Sequence, residues 1–183
     1  MIEDKDFELV KDFLNGSESA FNLIVRKYQK KIYWHARRMV GNHLDADEVT
    51  QEVLIVMYQK LSSFQFNSTL FTWIYRITST RSLNQLKKKQ LKKFLFIDDN
   101  EESEPIPYEH DIAGDIDNRD KLKKLDEVLK KLPVKQREVF VMRTFDELSY
   151  EEISEITGKT VGGLKANYFH ALKKVTELMN ENE

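Results

Sequence analysis

Apolar residues recur every three or four positions through most of this chain, and that period is helical. Between Ser17 and Gly41, Phe21, Ile24, Val25, Tyr28, Ile32, Ala36 and Met39 share one face. This predicts a long helix capped by Ser17 and stopped by Gly41. Its outer face carries Arg26, Lys27, Lys30, Lys31, Arg37 and Arg38. A shorter helix precedes it, over Asp6 to Asn15. Asp45-x-x-Glu48 resembles a capping box with Asp as the cap and opens a helix to about Ser62. Ala46, Val49, Val53, Val56 and Met57 point inward there, while Asp47, Glu48, Gln51, Ile55 and Tyr58 fall on another face. Most such faces are merely solvated, but isoleucine and tyrosine among acids also fit a protein contact.

The stretch from Phe64 to Lys93 is unusual. Two phenylalanines flank a short polar loop, and a helix ending in a basic cluster follows. At about 100° per residue, Thr69, Trp73, Arg76, Thr80 and Lys87 lie within roughly 60° of one another. Leu70, Ile74 and Ile77 form a separate apolar stripe. An indole, hydroxyls and cations on one face are the groups that hold unpaired nucleic acid, by stacking on bases and meeting phosphates. An amphipathic helix with a solvated basic end would show the same pattern.

Ile97 to Asn118 is acidic, holds two prolines and lacks periodicity, so it reads as a flexible linker. Beyond it, Leu122, Leu125, Val128, Leu129 and Leu132 return to helical spacing, stopped by Pro133. A helix over Lys135 to Thr144 carries Val139, Phe140 and Met142. Ser149-x-x-Glu152 is a capping box, and its helix ends at Gly158. Thr160 caps a last helix to about Met179, with Leu164, Tyr168, Ala171, Leu172 and Val175 inward. Helix, three-residue turn with glycine, helix is the helix-turn-helix pattern. No strand-like alternation occurs. The predicted fold is all-α: two small helical domains joined by an acidic flexible linker, the second with a helix-turn-helix.

Charge sharpens this division. The 183 residues carry a net charge of −2, but residues 20–93 carry +10, residues 94–120 carry −9 and residues 121–183 carry +1. A basic block of that size suits a polyanion. The acidic segment beside it could screen it in the free protein, although a plain solubilising spacer would look the same. There is no cysteine, hence no disulfide or thiolate site. No apolar run approaches the ~20 residues of a membrane span, and the acidic N-terminus lacks a signal-peptide core. A soluble cytoplasmic protein without direct membrane insertion is expected.

Catalysis finds little support. His35, His43, His110 and His170 are scattered, no cluster has metal-ligand spacing, and there is no glycine-rich phosphate loop. We expect no enzyme, cofactor, metal or small-molecule substrate. In the helix-turn-helix, the last helix would enter the major groove by its N-terminal end, presenting Thr160, Lys165 and Asn167, with His170 and Lys173 further along. Gly162-Gly163 near its start fits close approach to a phosphate strand.

Taken together, these motifs resemble bacterial RNA polymerase sigma factors of the extracytoplasmic-function (ECF) group of the sigma-70 family, over nearly the full length. DADEVTQEV (Asp45–Val53) is similar to the family's segment that docks on the polymerase clamp helices. TWIYRI (Thr72–Ile77) is similar to its helix for the −10 promoter element. LPVKQREVF (Leu132–Phe140) and LSYEEISEITG (Leu148–Gly158) resemble its −35-binding domain. The resemblance implies a region-2-type domain over 1–94, a linker over 95–117 that threads polymerase channels, and a region-4-type domain over 118–183. Asp45, Asp47, Glu48, Gln51, Glu52 and Ile55 would meet core RNA polymerase, which would also be met at its flap. Phe66, Asn67, Ser68 and Thr69 would form a pocket for a flipped base. Trp73, Arg76, Thr80, Asn84, Lys87 and Lys88 would hold the −10 region of promoter DNA. Thr160, Lys165, Asn167, His170 and Lys173 would contact −35 DNA. The family admits a membrane-bound anti-sigma factor as a further partner.

Some residues depart from the family pattern. Ser79 and Thr80 stand where Arg-Asn is usual, and Asn84 where Asp is usual. Gly163-Leu164-Lys165-Ala166-Asn167 replaces Thr-Val-Lys-Ser-Arg, and His170 replaces Arg. Arginine is the commonest reader of guanine, so weak −35 binding by this domain alone is expected. A helix-turn-helix regulator that never joins polymerase is the alternative; it has no use for the Asp45–Glu52 face.

Overall fold

The computed structural model describes residues 5–95 and 116–180. The acidic segment 96–115 lies outside them, and with it the expectation of a flexible or screening linker. Among the described residues the regular structure is helical throughout: α1 (Lys5–Leu14), α2 (Glu18–Val40), α3 (His43–Lys60), α4 (Leu70–Leu95), α5 (Ile116–Lys130), α6 (Val134–Thr144), α7 (Tyr150–Thr157) and α8 (Val161–Asn180). A single 3-10 turn, Leu61–Ser63, follows α3.

Helix ends follow local chemistry. Gly41 ends α2 in the left-handed conformation (φ 88°), its N–H donating to the Arg37 carbonyl. Asn42 then leaves in an extended conformation and accepts from the Asp45 N–H at 2.8 Å. The cap of α3 is therefore Asn42 and not Asp45. Asparagine caps as well as aspartate, and the exit from Gly41 puts it in the capping conformation first. Ser17 holds the cap position of α2, but its hydroxyl pairs with that of Ser19 instead of a backbone N–H. The capping box of α7 is complete between Ser149 and Glu152. Gly158 ends α7 with φ 70°, and the Gly163 N–H donates to the Thr160 hydroxyl at 3.2 Å to start α8. The helix-turn-helix is thus α7, a turn over 158–160, and α8.

The core does not divide at the linker. Ile24, Ile32 and Met39 of α2, Val49, Val53 and Met57 of α3, and Leu70 and Ile74 of α4 pack in one cluster with Leu129, Phe140, Val141 and Val175 of the second half. The other cluster is built from Val139, Met142, Leu148, Ile153, Ile156 and Leu164, and Tyr75 of α4 completes it. Helix α7 lies on α4, while α5 and α6 lie on α2.

This packing changes several sequence expectations. Arg37 and Arg38 do not lie on an outer face. Arg37 pairs with Asp126 of α5 at 3.5 Å, and Arg38 stacks 4.1 Å from the Phe145 ring centroid. Leu172 is exposed; the buried stripe of α8 is Leu164, Ala171 and Val175. Val56 is only half-buried.

Candidate polymerase and nucleic-acid interfaces

Helix α3 carries two kinds of acid. Asp47, Gln51 and Ile55 face outward and are exposed. Beside them Tyr58 is exposed, its hydroxyl donating to Glu18 at 2.9 Å and its ring packed edge-on against Phe21. Asp45, Glu48 and Glu52 instead turn toward α4. Gln85 donates to Asp45 at 2.9 Å and to Glu48 at 2.8 Å. Lys88 bridges to Glu48 at 2.9 Å, Lys89 to Asp45 at 3.1 Å, and Arg81 to Glu52 at 3.4 Å. Residues assigned separately to polymerase and to DNA thus meet across the α3–α4 seam.

Burial works against ionisation of Asp45, but hydrogen bonds from Asn42, Gln85 and Lys89 outweigh it and hold its carboxyl below the usual range. The hydrogen bond from Lys88 does the same for Glu48. A carboxylate whose pKa is lowered by folding stabilises the fold fully above its unfolded value of about 4, and that contribution is lost as pH falls through the folded value. We expect Asp45→Asn to flatten the acid limb of the stability profile. Urea midpoints measured from pH 6 down to pH 3 would check this. A limb as steep in the variant as in the parent would show that Asp45 plays no part.

At the start of α4, Thr69 is the cap: its hydroxyl accepts from the Thr72 N–H at 3.1 Å. Phe66 is left-handed (φ 56°) and partly exposed, and Asn67 is exposed. The Ser68 hydroxyl donates to the Thr69 carbonyl at 3.3 Å. Trp73 is half-buried, 5.7 Å from the Phe64 ring. Further along, Thr80, Asn84 and Lys87 are exposed. Arg76 is engaged by the second half, donating to the Glu155 carbonyl near the C-terminus of α7 at 2.8 Å. Ser79 is buried and donates to Glu138 of α6 at 2.6 Å, and Lys159 pairs with the same carboxylate.

On α8, Lys165, His170 and Lys173 are exposed. The Lys165 ammonium sits 5.6 Å from the centroid of the Tyr150 ring, and Asn167 donates back to the Gly163 carbonyl at 2.8 Å. At about 100° per residue, Lys165 and Asn167 are about 160° apart, so they flank the helix without sharing a face. A Cβ on Gly163 would lie 3.1 Å from the Thr160 hydroxyl, so its smallness serves the cap; Gly162 faces open space.

Sequence reasoning missed the polar seam between the halves. His35, buried on α2, pairs with Asp146 at 2.7 Å, and the Tyr75 hydroxyl donates to the same carboxylate at 3.5 Å. Arg137 of α6 donates to the Met39 carbonyl of α2 at 2.7 Å. The one available signal was Ser79, standing where the resembled family carries arginine.

Two family models match the chain: sigma-70 region 2 over residues 24–92 and sigma-70 region 4 over residues 122–175. The ECF RNA polymerase sigma factor SigW of Bacillus subtilis is 32% identical over 162 residues, covering 85% of this chain and 87% of that protein. The chain belongs to the ECF sigma factors. The ECF sigma-E factor of Escherichia coli K12 is 30% identical over 181 residues, covering 93% of this chain and 92% of its own length. Among solved structures, CnrH in complex with the cytosolic domain of CnrY shares the fold of this ECF sigma factor, with a TM-score of 0.74 at 19% identity, covering 98% of this chain and 100% of that one. So does RpoE in complex with the anti-sigma factor NepR from Bartonella quintana, with a TM-score of 0.74 at 22% identity over 89% and 98%. As a sigma factor the protein serves promoter recognition and transcription initiation by RNA polymerase. Among its described residues no helix is long and apolar enough to cross a membrane.

Proposed function

We propose that residues 1–94 dock on core RNA polymerase and hold the −10 element, and that residues 118–183 hold the −35 element. The exposed Asp47, Gln51 and Ile55 of α3 are the polymerase contact, with Asp45, Glu48 and Glu52 bracing that helix on α4. The Phe66–Thr69 loop takes an unpaired base. Trp73, Arg76, Thr80, Asn84, Lys87 and Lys88 hold the strand around it. On α8, Lys165, Asn167, His170 and Lys173 reach −35 DNA while Thr160 caps the helix. The observation that carries this reading is the outward acidic–apolar face of α3, which the α3–α4 seam leaves uncovered.

The mechanism is binding without covalent chemistry, carried out in the cytoplasm where polymerase works. Extruding a base costs a few kcal/mol, and stacking at about 1–3 kcal/mol per base together with phosphate contacts offsets it. Because Arg76 and Ser79 are held by the second half, α4 engages the promoter strand only once the halves part. An anti-sigma factor is a further partner by analogy with the NepR complex of the solved neighbour.

Combining Asp47→Lys with Gln51→Lys tests the assignment. Both residues are exposed, so the melting temperature should stay within a degree or two of the parent. Affinity for core polymerase should fall at least 100-fold, about 3 kcal/mol, and run-off transcription should fail with it. Undiminished association would refute the assignment of this face.

A further inference from the structure

Phe66 raises a problem that the base-pocket reading does not answer. Its backbone is left-handed (φ 56°), a conformation that glycine takes freely and bulky side chains rarely adopt. Such a residue persists only where its surroundings over-determine it. Here the surroundings are aromatic. The Phe66 ring centroid lies 4.9 Å from Phe64 and 5.2 Å from Phe7, the latter edge-on at 89°. Phe64 in turn lies 5.7 Å from Trp73. Phe7 comes from α1, remote in sequence from the loop. Its neighbour Asp6 anchors that helix, accepting from Tyr28 and Lys27 of α2 at 2.5 Å each. Phe66 nevertheless remains 37% exposed. The chain thus holds a ring at the loop against the preference of its own backbone, and uses its N-terminal helix to do so.

We infer that Phe7 is a positioning residue for base capture: the Phe7 ring from α1 supports Phe66, and Phe66 sets which unpaired base the loop accepts. Helix α1 is then part of the apparatus that reads the −10 strand. The inference rests on the reading that the Phe66–Thr69 loop takes an unpaired base of single-stranded DNA.

The test uses the full chain assembled with core RNA polymerase. The probe is a pool of forked promoter DNA whose non-template strand is single-stranded and randomised across the −10 segment, and bound molecules are sequenced. Wild-type holoenzyme is expected to enrich one base strongly at the captured position. Phe7→Ala should cut that enrichment at least fivefold while leaving the other positions and core affinity unchanged. Phe7→Leu, which fills the volume without a ring, should do the same, and Phe7→Tyr should restore the parental profile. On a Phe66→Gly background, Phe7→Ala should change nothing further, because two residues acting through one another are not additive. An unchanged profile in Phe7→Ala, parental behaviour of Phe7→Leu, uniform loss at every position, or additivity with Phe66→Gly would each overturn the inference while leaving the base pocket standing. No base preference in the wild-type holoenzyme would overturn the pocket reading and this inference with it.

Discussion

Tyr75→Ala is expected to destabilise the protein by about 3–5 kcal/mol, the range for truncating a fully buried aromatic side chain. Tyr75 belongs to α4 yet completes the core of the second half, among Val139, Met142, Leu148, Ile153, Ile156 and Leu164. Its ring stacks 4.2 Å from Phe71 and lies 5.3 Å from His35. Truncation leaves a void where elements of both halves meet, so neither half can close it by collapsing alone. It also removes one of the two groups that hold Asp146. Burial pushes the phenol pKa upward, so the hydroxyl remains a donor at any working pH. Tyr75→Phe removes only that weak donor and should cost about 1 kcal/mol. Urea unfolding would measure both. X-ray scattering should show Tyr75→Ala expanded under native conditions. A loss below 1 kcal/mol for the alanine variant would mean that the two halves are not energetically joined.

Arg137→Met is the second large effect, expected at about 3 kcal/mol from the loss of two or more charge-assisted hydrogen bonds. The buried guanidinium donates to the Met39 carbonyl at the end of α2, and to the Lys130 and Leu132 carbonyls at and beyond the end of α5, at 2.7, 2.7 and 3.4 Å. Final-turn carbonyls have no partner within their own helix and carry the negative end of its dipole. One planar cation therefore satisfies two helix ends that belong to different halves. Burial lowers its pKa, yet a guanidinium stays charged at any accessible pH. Methionine fills the space but strands the carbonyls. Arg137→Lys should recover less than half of the loss, since a single ammonium cannot span that fork. Denaturant unfolding would decide, and a methionine variant within 1 kcal/mol of the parent would count against the argument.

Individual helices were legible because their information is local. Helix α2 has an unbroken apolar period with Ser17 and Gly41 at its ends, and α7 opens on a complete capping box. Local reading failed where two local solutions compete. Asn42 and Asp45 are both good caps, and the backbone leaving Gly41 decides between them. Leu172 lies at the edge of the apolar arc of α8, and only the packed neighbours determine which edge is covered. Among site residues, the exposure of Asp47, Gln51, Ile55, Asn84 and Lys87 follows from helical phase. The engagement of Asp45, Glu48 and Glu52 by α4 does not, because no helical wheel shows which helix comes alongside. Arg37 and Arg38 read as surface groups; their engagement, like the burial of Ser79, Glu138 and Asp146, is set by partners far away in the chain.

The joined core also bears on how fast the promoter strand can be engaged. Parting the halves would uncover Tyr75 and break the Ser79–Glu138 hydrogen bond, so the open form is expected to be the less populated one. A partner that needs the halves apart meets only that fraction, and its apparent dissociation constant rises by the inverse of it. Capture of the strand by α4 would then level off with strand concentration at the opening rate, where a partner met by an already exposed face would show a linear rise. Loosening the seam with Ser79→Ala, which removes one hydrogen bond to Glu138, is expected to raise that ceiling without changing any residue proposed to hold the strand.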